Sequence, residues 1–247
     1  MERNQLQSFF LTLPNVTQDT EHLFDRISQF QEIMMMYSCA AREMRTKLEV
    51  LNDDFSVRYR RNPIEIIKTR IKTPASLFQK IVRRGLEVNE DTLLNEIHDI
   101  AGVRVICSFI DDIYEVARLL VGQDDVTLIE TKDYIRHPKP NGYRSLHLIL
   151  QIPVFFADHK QKMTVEVQIR TLAMDFWASL DHELHYKHDE GPELKDVEEE
   201  LRQCAEVIAK TDERMQNIRK RIYGEDSWKK KQEDREDGFF DTESHGE

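Results

Sequence analysis

Val165-Glu166-Val167-Gln168-Ile169-Arg170 alternates without a break, and this constrains the fold more than any other stretch of the chain. Successive side chains of a strand leave opposite faces, so three branched aliphatics share one side and an acid, an amide and a guanidinium share the other. The apolar side has to lie on a core. Three polar groups of different chemistry on the reverse side point to a site. Shortly before it stands His137-Pro-Lys-Pro-Asn-Gly-Tyr-Arg-Ser-Leu-His147. Two prolines and an Asn-Gly pair exclude helix and central strand, which makes this a loop. The loop gathers Lys139, Tyr143, Arg144 and His147, and an aromatic face beside cations suits a nucleobase with its phosphates.

Upstream, Leu23, Phe24, Ile27, Phe30, Ile33 and Met34, then Leu48, Leu51 and Phe55, recur at helical spacing. They predict a long or broken helix that ends before Asn62-Pro63. The Met34-Met35-Met36 triplet reads as packing filler. Ile64 to Lys72 is short and β-branched. Thr73-Pro74 then predicts a helix start, with Thr73 as cap and proline at the first helical position. Ser76, Lys80, Arg83 and Arg84 follow on that helix, and Arg70 and Lys72 precede it. This is the densest basic patch in a chain whose formal net charge is −11. A solvated helix face is the plain alternative; free N–H groups at the helix start favour an anion.

The remaining pattern predicts a short helix at Thr92 to Ile97, a strand at Val103 to Phe109 and a helix at Asp112 to Leu120. Strands are expected at Val126 to Thr131, Ser145 to Val154 and Met163 to Ile169. Met174 to Tyr186 reads as a helix with Phe176, Trp177 and Leu180 turned inward. Leu194 to Ile222 reads as a long helix with an apolar stripe of Leu201, Cys204, Ile208, Met215 and Ile218, long enough to suggest self-association. Residues 1 to 17 are expected to form a loose arm, and the polar tail from Gly224 to be disordered. The fold class is therefore α/β (α+β), a mixed sheet flanked by helices, with long N- and C-terminal helices.

At 247 residues the chain fits one domain with helical additions. Its net charge repels duplex nucleic acid, and it has no extended basic groove, so no nucleic-acid partner is expected. No apolar run reaches the roughly 18 residues of a membrane span, and no signal-peptide pattern opens the chain. Cys39, Cys107 and Cys204 are scattered, without metal-ligand spacing or a disulfide framework, which points to a reducing cytoplasm. Asp99 and Glu166 fit the demand of phosphoryl transfer for acids; a lone surface acid is the plain alternative for each, above all for Asp99, which precedes its strand rather than lying within it. That chemistry needs a metal to neutralise charge, cations on the phosphates and a group to take the nucleophile's proton. Mg²⁺ needs only one or two protein acids.

Gly142-Tyr-Arg-Ser-Leu-His147, Glu166-Val-Gln-Ile-Arg-Thr171 and the upstream Asp99-Ile-Ala-Gly-Val-Arg104 occur in this order. Together they closely resemble the synthetase domain of the RelA/SpoT family, and the chain length resembles its small, single-domain members, the small alarmone synthetases. The resemblance runs from about Asn62 to Lys187. It implies a nucleotidyltransferase-like sheet and a division into a helical N-terminal region (1–61), a catalytic domain (62–190), a C-terminal helix for oligomerisation (191–223) and an acidic tail (224–247). It implies a GTP/GDP diphosphokinase of the stringent response, which moves pyrophosphate from ATP to the 3′-hydroxyl of GDP or GTP with Mg²⁺. Matched residue to residue, it implies that Arg70 and Arg104 sandwich the adenine while Lys72, Ser76, Lys80 and Arg83 hold the ATP phosphates. Asp99 and Glu166 would be the catalytic acids and metal ligands. Tyr143 would stack on guanine, Lys139 and His147 would reach the acceptor's phosphates, Gln168 would support Glu166, and Lys132 and Asp175 are further acceptor-side candidates. The family's small members imply a homotetramer. Two rival readings are a nucleotide-binding regulator without catalysis and a nucleotidyltransferase with another acceptor. His98-Asp99 lacks the upstream histidines of a metal-dependent phosphohydrolase.

Overall fold

The computed structural model describes residues 20–59, 61–186 and 194–224; the expected loose arm and the tail beyond Gly224 lie outside them. Helix α1 (Thr20–Arg58) is one unbroken helix. Buried Ile27, Phe30, Ile33, Tyr37, Ala41, Met44 and Leu48, then partly buried Leu51 and buried Phe55, fall every three or four positions and build one continuous stripe on the core. Met36 is buried and Met34 packs partly buried against the core, while Met35 is exposed, so two of the three methionines serve packing. Past the helix, Asn62 Oδ1 accepts from the Ile64 N–H at 3.0 Å, and Pro63 cannot continue a helix.

Strand β1 (Ile64–Ile71) leads to helix α2 (Pro74–Arg83), where the Thr73 hydroxyl caps the Ser76 N–H and proline takes the first turn, as the sequence predicts. Thr92–Glu96 forms a π-helical turn rather than an ordinary short helix. There follow β2 (Ala101–Cys107), α3 (Ile110–Val121), β3 (Thr127–Asp133), β4 (Leu146–Phe155), β5 (Lys160–Thr171), α4 (Leu172–Tyr186) and α5 (Leu194–Tyr223). The five strands form one sheet in the order β1-β2-β5-β4-β3. Only β2 and β5 run parallel, so the sheet is mixed.

Register gives the two faces of the sheet opposite characters. Val103, Val105, Val165, Val167, Ile169, Leu146, Leu148 and Leu150 lie on one face, and all are buried. Lys68, Arg104, Gln168, His147 and Lys132 form a single row across all five strands of the opposite face. Glu166 is two residues before Gln168 and so belongs to that face too.

One expectation for the C-terminal helices does not hold. Of the three residues expected to turn inward on α4, only Trp177 is buried; Phe176 is 60% exposed and Leu180 43%. On α5 the apolar stripe lies largely away from the domain. Ala205, Asp212, Gln216 and Arg219 face the domain, while Met215 and Ile218 are exposed. Polar contacts do the docking. Asp212 accepts from the Thr171 hydroxyl at 2.6 Å, Arg219 donates to Asp111 at 2.8 Å, and Trp177 Nε1 donates to the Leu201 carbonyl at 3.0 Å. Periodicity locates an apolar stripe on a helix but carries no information on which surface covers it.

Candidate active site

One half of the polar face centres on Asp99, just before β2. Its Oδ2 accepts from both Lys72 and Lys80, each at 2.7 Å. Burial alone would raise the Asp99 pKa, but hydrogen bonds from the two lysines outweigh it and hold the carboxyl at about 2. Burial, more than the carboxylate offsets, lowers the pKa of Lys80. The other oxygen, Oδ1, is buried with no hydrogen-bond partner. An ionised oxygen left in that state is costly unless something cationic or protic completes it. Ser76 is exposed in the first turn of α2, where its hydroxyl accepts from Thr73 at 2.9 Å. Arg83 is exposed at the end of the same helix. Arg70 is exposed on β1 and lies over Gly102, where an added Cβ would come within 3.3 Å of the arginine Cγ. The glycine of the Asp99–Arg104 motif therefore lets the Arg70 side chain lie flat on the sheet.

The other half is a closed ring of hydrogen bonds. His147 Nδ1 lies 3.0 Å from Glu166 Oε1, and Nε2 lies 2.8 Å from the Tyr143 hydroxyl. Gln168 Nε2 donates to Glu166 Oε2 at 2.9 Å, and Arg170 Nη2 donates both to Gln168 Oε1 at 3.0 Å and to the Tyr143 hydroxyl. Burial lowers the His147 pKa despite the pull of Glu166, so the imidazole is neutral at pH 7. For Glu166, burial acts upward, and hydrogen bonds from His147 and Gln168 more than offset it. An ionised Glu166 can only accept, so His147 carries its proton on Nδ1 and accepts from Tyr143 on Nε2.

Arg104, paired as a buried-strand guanidinium must be, donates to Asp175 Oδ1 at 3.2 Å, and Arg170 reaches the same oxygen at 3.3 Å. Asp175, in the first turn of α4, thus sits between Arg104 and the ring. Lys139 Nζ lies 4.8 Å from the ring centres of both Tyr134 and Tyr143. Lys132 is at the sheet margin in an exposed pair with Glu130. Arg144 turns back into its own loop and donates to the Ile135 carbonyl at 3.0 Å. The loop rests on α5: Gly142 has φ +88° and a Cβ there would be 2.5 Å from Ala205 Cβ. The structure therefore gathers the expected residues on one sheet face, with Lys132 and Arg83 at the periphery. Sequence reasoning missed Arg170 and Tyr134. Strand alternation had put Arg170 on the site face with Glu166, and that was its only signal.

Residues 69–191 match the family described as the region found in RelA / SpoT proteins. The chain is 42% identical over 190 residues to the GTP pyrophosphokinase YwaC of Bacillus subtilis (strain 168), covering 76% of this chain and 90% of that protein. It is similar to the crystal structure of small alarmone synthetase 1 from Bacillus subtilis bound to its product pppGpp, with a TM-score of 0.72, 34% identity and coverage of 78% of this chain and 98% of that chain. The same relative bound to AMPCPP gives a TM-score of 0.65 and 30% identity over 78% of this chain and 97% of that chain.

Proposed function

The chain belongs to the RelA/SpoT family as one of its small alarmone synthetases, and on that premise we propose that it transfers pyrophosphate from ATP to the ribose 3′-hydroxyl of GDP or GTP. The acceptor 3′-oxygen bonds to the β-phosphorus of ATP, the bond from that phosphorus to the α,β-bridging oxygen breaks, and AMP leaves. The products are ppGpp or pppGpp. One observation carries this reading: an ionised carboxylate braced by His147 and Gln168 shares a sheet face with the Lys72–Asp99–Lys80 cluster.

Glu166 takes the proton of the 3′-hydroxyl, and Gln168 holds it in place. Tyr143 stacks on guanine, with Lys139 moving off its ring to meet phosphate, and His147 and Lys132 lie toward the same acceptor. Arg70 and Arg104 take the adenine, and Lys72, Ser76, Lys80 and Arg83 the triphosphate. As the phosphates draw Lys72 and Lys80 away, Asp99 is released from both. Its unpartnered buried Oδ1 fits a hard cation, which commonly binds one or two carboxylates together with substrate phosphates. Asp99, with Glu166 beside it, would hold Mg²⁺, which supplies charge neutralisation on the transferred group.

The surfaces and cysteines support two coarser features of the same reading. On α5, Val197, Leu201, Cys204, Ile208, Met215, Ile218 and Ile222 follow the alternating four- and three-residue spacing of a coiled-coil seam, with the polar Thr211 filling the one position between Ile208 and Met215, and Val197, Met215, Ile218 and Ile222 are 45–66% exposed. We assign that seam to a second copy of the chain, in a homo-oligomer up to the tetramer. Three free cysteines suit a reducing cytoplasm, and no helix among the described residues is long and apolar enough to cross a membrane. Incubation of the purified chain with ATP, GDP or GTP, and Mg²⁺, followed by nucleotide separation, tests the reaction. AMP and (p)ppGpp should appear in equal amounts. AMP formed without a 3′-pyrophosphorylated product would reject it.

A further inference from the structure

We propose that Arg170 is a positioning residue for the acceptor half-site, setting through Tyr143 and Gln168 the direction of every hydrogen bond that converges on Glu166. The proposal rests on the assignment of Tyr143 and Glu166 to the acceptor given above.

Arg170 is 3% exposed, and each of its nitrogens is engaged. Nε donates to Ser145 Oγ at 3.3 Å, Nη1 to Asp175 at 3.3 Å, and Nη2 to Gln168 Oε1 at 3.0 Å and to the Tyr143 hydroxyl. The guanidinium carbon also stands 5.0 Å from the centre of the Tyr143 ring. A guanidinium has donors only. Tyr143 therefore accepts from Arg170, and because the ionised Glu166 keeps the His147 proton on Nδ1, the remaining Tyr143 proton points at Nε2. On the other arc, Arg170 occupies the carbonyl oxygen of Gln168, so the amide must turn its NH₂ toward Glu166. The five residues form a ring with one source, Arg170, and one sink, Glu166. Removing the source leaves Tyr143 free to turn its proton elsewhere and Gln168 free to flip, and either change misdirects the groups around the carboxylate.

A buried arginine that merely filled space would affect both nucleotides alike, and a double-mutant cycle separates the two roles. Arg170→Lys keeps the charge and loses the fork; Tyr143→Phe keeps the ring and loses the hydroxyl. Arg170→Lys should raise the acceptor KM and lower kcat by about tenfold each while the ATP KM stays within about twofold. The double variant should be no more than about twofold worse than Arg170→Lys alone, because the two changes break one arc. Equal rises in both KM values, or effects that multiply, would overturn the proposal. A second measurement needs no variant at position 170. Nitrogen NMR of the folded wild-type chain, with the His147 signals assigned by their loss in His147→Gln, should find Nδ1 protonated and Nε2 bare at neutral pH. The opposite tautomer would overturn the ring's direction. The tautomer readout does not depend on the overall reaction, and the kinetic one is read on a productive wild type: a wild-type chain that made no (p)ppGpp would reject the function, whereas a productive wild type without the KM split would reject only Arg170.

Discussion

Glu166 and His147 lie 3.0 Å apart on neighbouring strands, and their surroundings keep one ionised and the other neutral. The pair sits on rigid strand backbone whose reverse face is Val165, Val167 and Ile169, all fully buried. The carboxylate is therefore held in place before any substrate arrives. Glu166→Gln keeps size and loses charge and basicity. Folding and guanine-nucleotide binding should survive while synthesis falls by at least about a hundredfold, the contribution of a positioned base. Single-turnover rates beside calorimetric GDP binding check this; near wild-type turnover would remove Glu166 from the reaction.

Acidification should disable the acceptor site before it unfolds the core. The His147 pKa is lowered in the folded chain below its ordinary value of 6.5, mainly by burial. The unfolded chain therefore binds the extra proton more readily. The stability His147 contributes is present above about pH 6.5 and is lost as pH falls below it. Protonation would also put a proton on Nε2 against the Tyr143 hydroxyl. The acceptor KM should rise as pH falls from 7 toward 5, and His147→Gln should flatten that limb. An unchanged limb in the variant would assign it to another group.

Asp99→Asn removes the charge that Lys72 and Lys80 share. Turnover should drop by about a hundredfold or more and recover in part at high Mg²⁺, because a neutral amide oxygen is a weaker ligand for a hard cation. Titration of activity against Mg²⁺ reads this as a shifted midpoint. A loss with an unshifted midpoint would point to the lysines alone.

Tyr143→Ala should weaken GDP or GTP by roughly 5- to 150-fold and ATP far less, since stacking is worth about 1–3 kcal/mol per base. Separate calorimetric titrations decide it; equal losses would take Tyr143 out of the acceptor site.

Ile218→Glu puts a charge into the exposed seam of α5, on the side away from Ala205 and Arg219. The particle mass from light scattering should fall while helix content is retained, because the contacts of α5 with its own domain are polar and lie on another side of the helix. A wild-type chain that is already monomeric at micromolar concentration would end the idea.

Features that depend on local rules were legible in the sequence. Thr73-Pro74 starts a helix because cap chemistry acts within one turn, and the alternation from Val165 to Arg170 fixes two faces wherever the strand lies. The facing of the terminal helices was not legible. Phe176 and Leu180 have core-like spacing yet stand in solvent, because α4 and α5 meet the domain through Trp177, Asp212 and Arg219 instead. The Arg170 ring was hidden for a related reason. Its partners come from a loop, two strands and a helix start, and only the fold brings them within reach.

Gly142 and Ala205 fill one gap between them, and this limits how the chain can drift. The loop position tolerates no side chain for two reasons, its positive φ and the methyl group 2.5 Å from where a Cβ would stand. Residue 205 has the smallest side chain that still covers the loop, so enlarging it must lift Tyr143. Neither position can change alone without cost, although they are 63 residues apart. A lineage that rebuilt α5 would have to keep this one spot small, or shift the loop that carries Tyr143.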